Sequence, residues 1–223
     1  MEAQKIVPHD EWVAARKRLL IREKEHTKAR DALSAERRSL PMELVGKNYV
    51  FDGPNGKVSL ADMFEGRRQL LIYHFMFDPD WEKGCYGCTS FANSLPDLSE
   101  LHKRETTLAM VSRAPFEKLQ GYKQKMGWTV PWYSSFGSDF NYDFHVTLDE
   151  KIEPIEINYR GKAEFEAAKG AWDQWGTELP GISVFLRDEG HILHSYSTYA
   201  RGLEPMVPVL HFLDLAPLGR QGS

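Results

Sequence analysis

The stretch QLLIYHFMFDPDWEKGCYGC, residues 69–88, joins an apolar run to both cysteines of the chain. Residues 69–77 are almost continuously apolar, which is typical of a central strand covered on both faces of a sheet. Cys85 and Cys88 follow in the next loop, and a segment with helical spacing comes after them. The spacing of the cysteines leaves three interpretations open: a redox dithiol, half of a metal site, or coincidence.

The composition indicates a globular protein with its own hydrophobic core. Of the 223 residues, 42% are hydrophobic, which is enough for a core that needs no disulfides. A net charge of −4 and a pI near 6.1 give no reason to expect a nucleic-acid partner. No apolar run has the length of a signal peptide or a membrane span, so we expect a cytoplasmic protein without a membrane partner. Because thiols are kept reduced in the cytoplasm, a CxxC pair in a cytoplasmic protein indicates catalysis, redox sensing or metal binding rather than a structural disulfide.

A long N-terminal helix is predicted over residues 10–39, which contain many charges and neither Gly nor Pro. Asp10 is its expected N-cap. Apolar residues recur along the segment at multiples of seven, at Trp12, Leu19, Leu33 and Leu40. This narrow seam suits docking on the chain's own body or a homo-oligomer contact.

The rest of the chain alternates between strand and helix patterns. After residues 69–77 we predict a helix kinked at Pro96, a buried strand at 106–112 and a second helix. Two strands are predicted within 181–199, and Pro208 is expected to shorten or bend the last helix. A turn at 52–56 indicates a hairpin before the first central strand.

We therefore predict an α/β protein with a central mixed sheet flanked by helices. Residues 1–40 form a helical extension and residues 41–223 form the main domain. Within that domain, the aromatic-rich segment 128–179 is expected to be an insertion packed on the sheet.

The position of the dithiol suggests a chemical role. The N-terminus of a helix presents unpaired N–H groups and a partial positive charge, which stabilise a thiolate and lower its pKa. Cys85 is the predicted nucleophile. Cys88, one turn further on, is the predicted resolving group. Lys83 adds positive charge nearby, whereas Glu82 opposes it.

A metal site is the weaker interpretation. Structural zinc takes four ligands, and the chain has no second CxxC. His191 and His194 would point to opposite faces of a strand. The trio Asp139, Asp143 and His145 falls in an aromatic turn that contains glycine. We therefore predict neither a metal nor another cofactor.

The order of these elements resembles the thioredoxin fold. The segment LPGISVFLRDEGHILHSYSTYARG, residues 179–202, is similar to the part of that fold in which a proline begins one strand of an antiparallel pair. The resemblance makes Pro180 the counterpart of a cis-proline that faces the dithiol. We predict that Pro180, Leu179 and Trp81 contact the substrate, although the position of Trp81, four residues before Cys85, departs from the thioredoxin arrangement.

Four longer motifs resemble a more specific family, the domain of unknown function 899, in the branch of alkyl hydroperoxide reductase and thiol-specific antioxidant proteins. They are YHFMFDPDWEKGCYGC, VSRAP, MGWTVPWYSSFGSDFNYDF and STYARG. The resemblance covers nearly the whole chain. It implies the thioredoxin-like fold but leaves the activity open.

The expected function is thiol–disulfide exchange with a disulfide-containing protein, or with a small thiol or peroxide. A peroxiredoxin-like peroxidase is the alternative, although Glu82 stands where that signature has threonine before Cys85; Pro79 is present. A non-catalytic binding module is a third reading.

Three residues are candidates for supporting roles. His74, in the strand leading to the dithiol, could shuttle a proton. Arg113 and Arg201, at strand ends, could hold an anion or stabilise a thiolate. A buried core histidine and surface ion pairs are the structural alternatives.

Overall fold

The computed structural model describes residues 5–221. The chain divides into two compact units, with the boundary between residues 41 and 42. Within the described range, no helix is both long enough and apolar enough to cross a membrane.

Over its described residues, from 5 to 41, the first unit has one helix, α1 (His9–Arg38), close to the predicted 10–39. The N-cap prediction was wrong. Pro8 precedes the first helical residue, and its carbonyl accepts a hydrogen bond from the Trp12 N–H at 3.0 Å. Asp10 instead lies in the first turn, where a carboxylate interacts favourably with the helix dipole. The role of the apolar seam in oligomerisation stays a prediction.

The second unit is built on a mixed sheet that has eight strands within residues 5–221. The strands of this unit are β1 (Glu43–Leu44), β2 (Val50–Gly53), β3 (Gly56–Ser59), β4 (Gln69–His74), β5 (Thr106–Ser112), β6 (Trp132–Ser134), β7 (Glu156–Ile157), β8 (Arg160–Gly161), β9 (Gly181–Asp188) and β10 (His191–Tyr199). The order in the sheet is β1-β10-β9-β4-β5-β6-β2-β3, and β7 pairs with β8 in a separate ribbon. Strands β4, β5 and β6 are parallel, whereas β9 is antiparallel to both β4 and β10.

Helices connect the parallel strands, as the alternation of patterns predicted. The remaining helices are α2 (Tyr86–Asn93), α3 (Ser99–His102), α4 (Phe116–Met126), α5 (Phe140–Asp143), α6 (Lys162–Lys169) and α7 (Pro208–Leu215), with short 3₁₀ segments at Asp62–Phe64, Trp172–Trp175 and Ala200–Met206. Helices α2 and α3 link β4 to β5, and α4 links β5 to β6.

Side chains along β4 alternate between two parts of the core. Tyr73 packs on one face in the same cluster as Cys88 and Phe91 of α2. Ile72 packs on the other face in the cluster that contains Phe140 of α5. Every residue of β5 is buried. The sheet is therefore covered on both faces, as its continuous apolar runs indicated.

This topology is thioredoxin-like, and the predicted fold class is confirmed. The dithiol loop and α2 follow a central parallel strand, β4. The antiparallel pair β9 and β10 extends the sheet beside that strand, and α7 is the last element of the described chain.

Prolines set the bounds of two of the predicted helices. The helix expected to be kinked at Pro96 is two helices, α2 and α3, separated by residues 94–98, because proline lacks an N–H and disfavours helical backbone in the residue before it. Pro208 shortens the last helix, one of the two outcomes expected for it, and does not bend it. It occupies the first turn of α7, where a missing N–H costs no helical hydrogen bond.

The aromatic segment 128–179 contributes to the central sheet as well as to its surface. Within it, β6 pairs in parallel with β5, with Trp132 opposite Met110. The aromatic residues of β6 are thus ordinary buried strand residues. The later part of the segment has its own small hydrophobic cluster, which contains Leu148, Ile155, Ile157 and Phe165.

Candidate active site

The chain beyond β4 stays attached to β5 and then returns to the sheet at Cys85. The Phe75 N–H donates to the Val111 carbonyl at 2.9 Å, and the Cys85 N–H donates to the Met76 carbonyl at 3.0 Å. Ser112 Oγ donates to the Phe75 carbonyl at 2.6 Å. These bonds hold Cys85 at the carboxyl end of β4.

The loop between β4 and Cys85 is held by side chains from the next strand and helix. Lys118 of α4 donates from Nζ to the carbonyls of Pro79, at 2.5 Å, and Trp81, at 2.7 Å. Arg113 forms an ion pair with Asp78. The loop's shape is therefore set by contacts outside it.

Gly84 lets the loop pass close to the core. A Cβ atom at this position would lie 2.5 Å from Cε1 of Phe75, whose ring is buried. The space beside Gly87 is different, because a Cβ there would be 3.9 Å from Cys85 Sγ, an ordinary contact.

Cys85 caps the N-terminus of α2 and is half-buried. Its pKa is lowered from its ordinary value to about 6. The largest cause is a hydrogen bond from the Cys88 thiol; the backbone N–H groups of Cys88 and Gly87 act in the same direction, and burial opposes them. This is the environment in which a thiolate is the stable form near neutral pH.

Cys88 lies beneath Cys85 and is only 1% exposed. The Met76 N–H donates to its Sγ at 3.4 Å. The hydrogen bond with Cys85 and burial raise the pKa of Cys88, whereas the Tyr73 hydroxyl and the Met76 N–H act against that rise. Tyr73 is buried, with its ring stacked on Phe91 at a centroid distance of 3.9 Å. One thiol is thus ionised and half-exposed, and the other is protonated and enclosed.

Two aromatic side chains near the thiols are exposed. Tyr86, between the two cysteines, is 90% exposed, and Trp81 is 37% exposed. Trp81 was a predicted substrate contact, whereas Tyr86 was not singled out from the sequence.

Pro180 and Leu179 precede β9, whose first residue, Gly181, pairs with His74 at the end of β4. They therefore lie at the same edge of the sheet as the dithiol. The expected cis-proline is wrong, because all peptide bonds described in residues 5–221 are trans. The Leu179 N–H donates to the Val146 carbonyl at 2.8 Å, so this amide is already bonded within the chain.

The structure places His74 on the face of the sheet opposite to Tyr73 and Cys88. Neighbouring residues of a strand point to opposite faces, and His74 stacks on Phe140 and Phe144 in the other core cluster. Burial, with a smaller effect of His194, lowers the pKa of His74 to about 3. His74 is thus not the group beneath the thiols that the sequence suggested.

His74 begins a chain of buried hydrogen bonds across β9 and β10. Its Nε2 is 2.8 Å from Ser183 Oγ, which is 2.8 Å from Ser197 Oγ. Ser197 Oγ is in turn 2.8 Å from Nε2 of His194. The other nitrogen of His74, Nδ1, is buried without a partner. A register shift after His194 allows residues three apart in β10 to meet.

The two arginines have different surroundings. Arg113 is partly buried and bonds Asp78 and Glu178, with 2.8 Å between its Nε and Glu178 Oε1. Burial raises the pKa of Glu178 to about 7. Arg201 is exposed and pairs with Glu204 at 2.7 Å. Both arginines therefore make ion pairs, and Arg113 anchors the loop that carries the dithiol.

Tyr73, Glu178 and Lys118 were missed by sequence reasoning. Alternation along β4 separates Tyr73 from His74 but does not tell which of them faces α2. Glu178 and Lys118 are far in sequence from the groups they bind, so no local pattern marks them. In the described part of the chain, no group of three or more His, Cys, Asp and Glu side chains is arranged to hold a metal ion.

The family described as "Bacterial protein of unknown function (DUF899)" matches residues 1–223. The chain belongs to the DUF899 family. No curated protein matches its sequence.

Solved structures similar to this DUF899 chain include three bacterial proteins. The bacterioferritin comigratory protein of Xanthomonas campestris is 14% identical, with a TM-score of 0.46, covering 78% of this chain and 96% of its own. Peroxidoxin BcpB from Mycobacterium tuberculosis is 12% identical, with a TM-score of 0.44, covering 78% and 97%. A secreted M. tuberculosis disulfide oxidoreductase homologous to E. coli DsbE is 14% identical, with a TM-score of 0.37, covering 73% and 96%.

Proposed function

We propose that this protein is a thiol–disulfide oxidoreductase in which Cys85 attacks a substrate disulfide and Cys88 resolves the intermediate. The observation that carries the proposal is the asymmetry of the two thiols. Cys85 is half-exposed at a helix N-terminus and its pKa is lowered to about 6, whereas Cys88 is buried and its pKa is raised. Thiol–disulfide exchange requires one thiolate to attack the substrate and a second thiol to resolve the mixed disulfide.

In the first step, the Cys85 thiolate attacks one sulfur of the substrate disulfide. A bond forms between Cys85 Sγ and that sulfur, the substrate S–S bond breaks, and the other substrate sulfur leaves as a thiolate. The N–H groups of Gly87 and Cys88 stabilise the attacking anion before this step.

The first step itself prepares the second. The negative charge of Cys85 and its hydrogen bond with Cys88 both raise the pKa of Cys88. Both disappear once Cys85 is in a mixed disulfide. The Met76 N–H and the Tyr73 hydroxyl remain as donors to Cys88 Sγ, so Cys88 can pass its proton to the substrate thiolate released in the first step and attack Cys85 Sγ. The product is a Cys85–Cys88 disulfide and a released substrate thiolate, with two electrons transferred to the substrate.

The substrate class is a disulfide at a protein or peptide surface. Tyr86, next to Cys85 in sequence, and Trp81, four residues before it, have exposed rings that offer apolar area to a docked chain. We place Pro180 at the margin of this surface. An external thiol is needed to reduce the Cys85–Cys88 disulfide after each turnover, and we therefore propose a cytoplasmic location, where thiols are kept reduced.

The test is a redox titration of the whole chain in glutathione buffers, combined with reduction of a protein disulfide substrate. Wild type is expected to form one reversible intramolecular disulfide. Cys85→Ser should lose substrate reduction, whereas Cys88→Ser should accumulate a mixed disulfide through Cys85. Circular dichroism of both variants separates a chemical defect from unfolding. Failure of the wild type to form the reversible disulfide would falsify the mechanism.

Two other functions give different outcomes in the same experiments. A peroxidase would consume hydrogen peroxide rapidly and catalytically with one cysteine. A binding module would keep its cellular role when both cysteines are replaced by serine. Slow, stoichiometric peroxide consumption together with loss of function in the double variant supports the oxidoreductase.

A further inference from the structure

A cavity of about 410 Å³ lies beside β1, on the face of the sheet that carries His74. Its size falls in the range of small-molecule sites, roughly 300–1,000 Å³. The walls come from separate parts of the second unit: β1 and the following segment, the end of α5, the β7–β8 ribbon and the end of β10. The dithiol is not among the residues that line it.

The charged side chains around this cavity are predominantly acidic. Lys47 is the one Lys or Arg among the described lining residues, and it is already bound by Asp143, with 2.8 Å from Nζ to each carboxylate oxygen. Two more carboxylates, Glu43 and Glu156, line the same space. The cavity therefore has two carboxylates in excess of its cations.

An imidazole ring lies beside each of these two carboxylates. Glu43 is 3.8 Å from Nδ1 of His194, and Glu156 is 3.8 Å from Nε2 of His145. Burial lowers the pKa of His194, which favours its neutral form. The Glu43 side chain is 82% exposed, so its carboxylate is open to a cation that enters the cavity from solvent.

The hydroxyl groups of the tyrosines that line the cavity are already hydrogen-bonded within the chain. The Tyr49 hydroxyl donates to Asp143 at 2.6 Å, the Tyr159 hydroxyl to the Ser197 carbonyl at 3.1 Å, and the Tyr199 hydroxyl to the Phe144 carbonyl at 3.0 Å. With their hydroxyls engaged, these tyrosines present mainly aromatic surface, which attracts cations.

A hydrolytic role for the same residues does not fit. Glu43, His194 and Ser197 occur in the order of a carboxylate–imidazole–hydroxyl triad. Ser197, however, is 4% exposed and does not line the cavity. Its hydroxyl lies between the His194 imidazole and the Ser183 hydroxyl. No substrate carbonyl can reach it, so the cavity is a binding site rather than a hydrolase centre.

We propose that this cavity is a binding site for a small organic cation, an amine with an apolar body, held by Glu43 and Glu156 against the aromatic walls. The proposal is independent of the dithiol chemistry, because it shares no residue with it. It requires that binding depend on the positive charge of the ligand and on these two carboxylates.

The test uses three probes of nearly equal size and shape but different charge: benzylamine, benzyl alcohol and benzoate. Their binding to the full chain is measured by calorimetry or ligand-observed NMR at neutral pH and low salt. Benzylamine is expected to bind about tenfold more tightly than benzyl alcohol, and benzoate most weakly.

Matched variants locate the binding. Glu43→Gln and Glu156→Gln should each weaken benzylamine binding severalfold and leave benzyl alcohol unchanged. Glu117→Gln, which removes an exposed carboxylate on α4, is the control and should have no effect. Equal binding of the three probes, unchanged affinity in both cavity variants, or no saturable binding of benzylamine below about 10 mM would overturn the proposal.

Discussion

Tyr73 and His74 are neighbours in sequence but belong to two polar systems on opposite faces of β4. Tyr73 contacts the dithiol, which lies at the edge of the sheet and includes a half-exposed sulfur. His74 belongs to a chain of hydroxyl and imidazole groups that begins in the other core cluster and ends at partly buried His194. The same strand therefore supports one reactive dithiol and one hydrogen-bonded network.

The pKa values of Cys85 and His74 are both lowered, but for different physical reasons. N–H and S–H donors stabilise the Cys85 anion, so its charged form is favoured. Burial without a counter-charge disfavours the His74 cation, so its neutral form is favoured. A lowered pKa thus indicates a reactive group on one face and an inert one on the other.

The largest expected effect concerns thiol reactivity on the dithiol face. Cys85 should be about 90% thiolate at pH 7, and its alkylation rate should rise with pH through a midpoint of about 6. Cys85→Ser leaves only buried Cys88, so alkylation at pH 7 should fall about 100-fold. Iodoacetamide kinetics from pH 5 to 9 measure this.

The Cys88→Ala variant is the companion measurement. It removes the S–H donor that contributes most to the low pKa of Cys85, so the midpoint should move above 6. Rapid alkylation that survives in Cys85→Ser would contradict the assignment.

On the other face, His74 should make stability depend on pH. Its folded pKa of about 3 lies below the ordinary value near 6.5. The free energy of unfolding is therefore unaffected by His74 above pH 6.5 and falls as the pH drops from 6.5 towards 3. In that range the unfolded chain binds a proton at His74 and the folded chain does not. The expected slope is about 1.4 kcal/mol per pH unit.

Urea unfolding of wild type and His74→Gln at pH 7, 6, 5 and 4 tests this slope. The variant should lose it, while contributions from Glu178 and other groups remain the same in both chains. Parallel pH curves for the two chains would show that His74 does not carry the dependence.

Gly84→Ala tests whether close packing supports the dithiol face. The added Cβ would lie 2.5 Å from Phe75 Cε1, so we expect a loss of about 1–3 kcal/mol in the free energy of unfolding. The control is Gly121→Ala within α4, where nothing lies within 4 Å of the added Cβ and helix propensity favours alanine. If both variants shift the urea midpoint alike, the steric argument fails.

The smallest effect is expected for Tyr73→Phe. The ring stack on Phe91 is retained but one donor to Cys88 is lost, so resolution of a mixed disulfide should slow about 3–10-fold. Cys85 alkylation should not change. Tyr122→Phe removes a hydroxyl that contacts Thr89 rather than sulfur and serves as the control. Equal resolution rates in stopped-flow thiol release would exclude the role of Tyr73.

Much of the fold could be predicted because it depends on local periodicity. Short segments of sequence specify the apolar runs of β4 and β5, the turn of the first hairpin and the length of α1. The prediction at Pro96 was wrong, because this residue separates two helices instead of kinking one. Pro208 shortens the last helix, as expected.

The candidate site was predictable only in its sulfur atoms. Cys85 and Cys88 stand out because they are the chain's two cysteines and follow a buried strand. The residues that hold the dithiol loop could not be predicted in this way, because Lys118 and Glu178 are distant in sequence from the groups that they bind.

The sequence by itself determined the order of the strands and helices and the pairing of a CxxC with a helix N-terminus, since both follow from residues close together in the chain. Only the tertiary structure decided which face of β4 each polar residue occupies, which thiol is exposed, and where the carboxylates and rings of the cavity meet. Those outcomes depend on contacts between segments that are distant in sequence, and no local pattern carries that information.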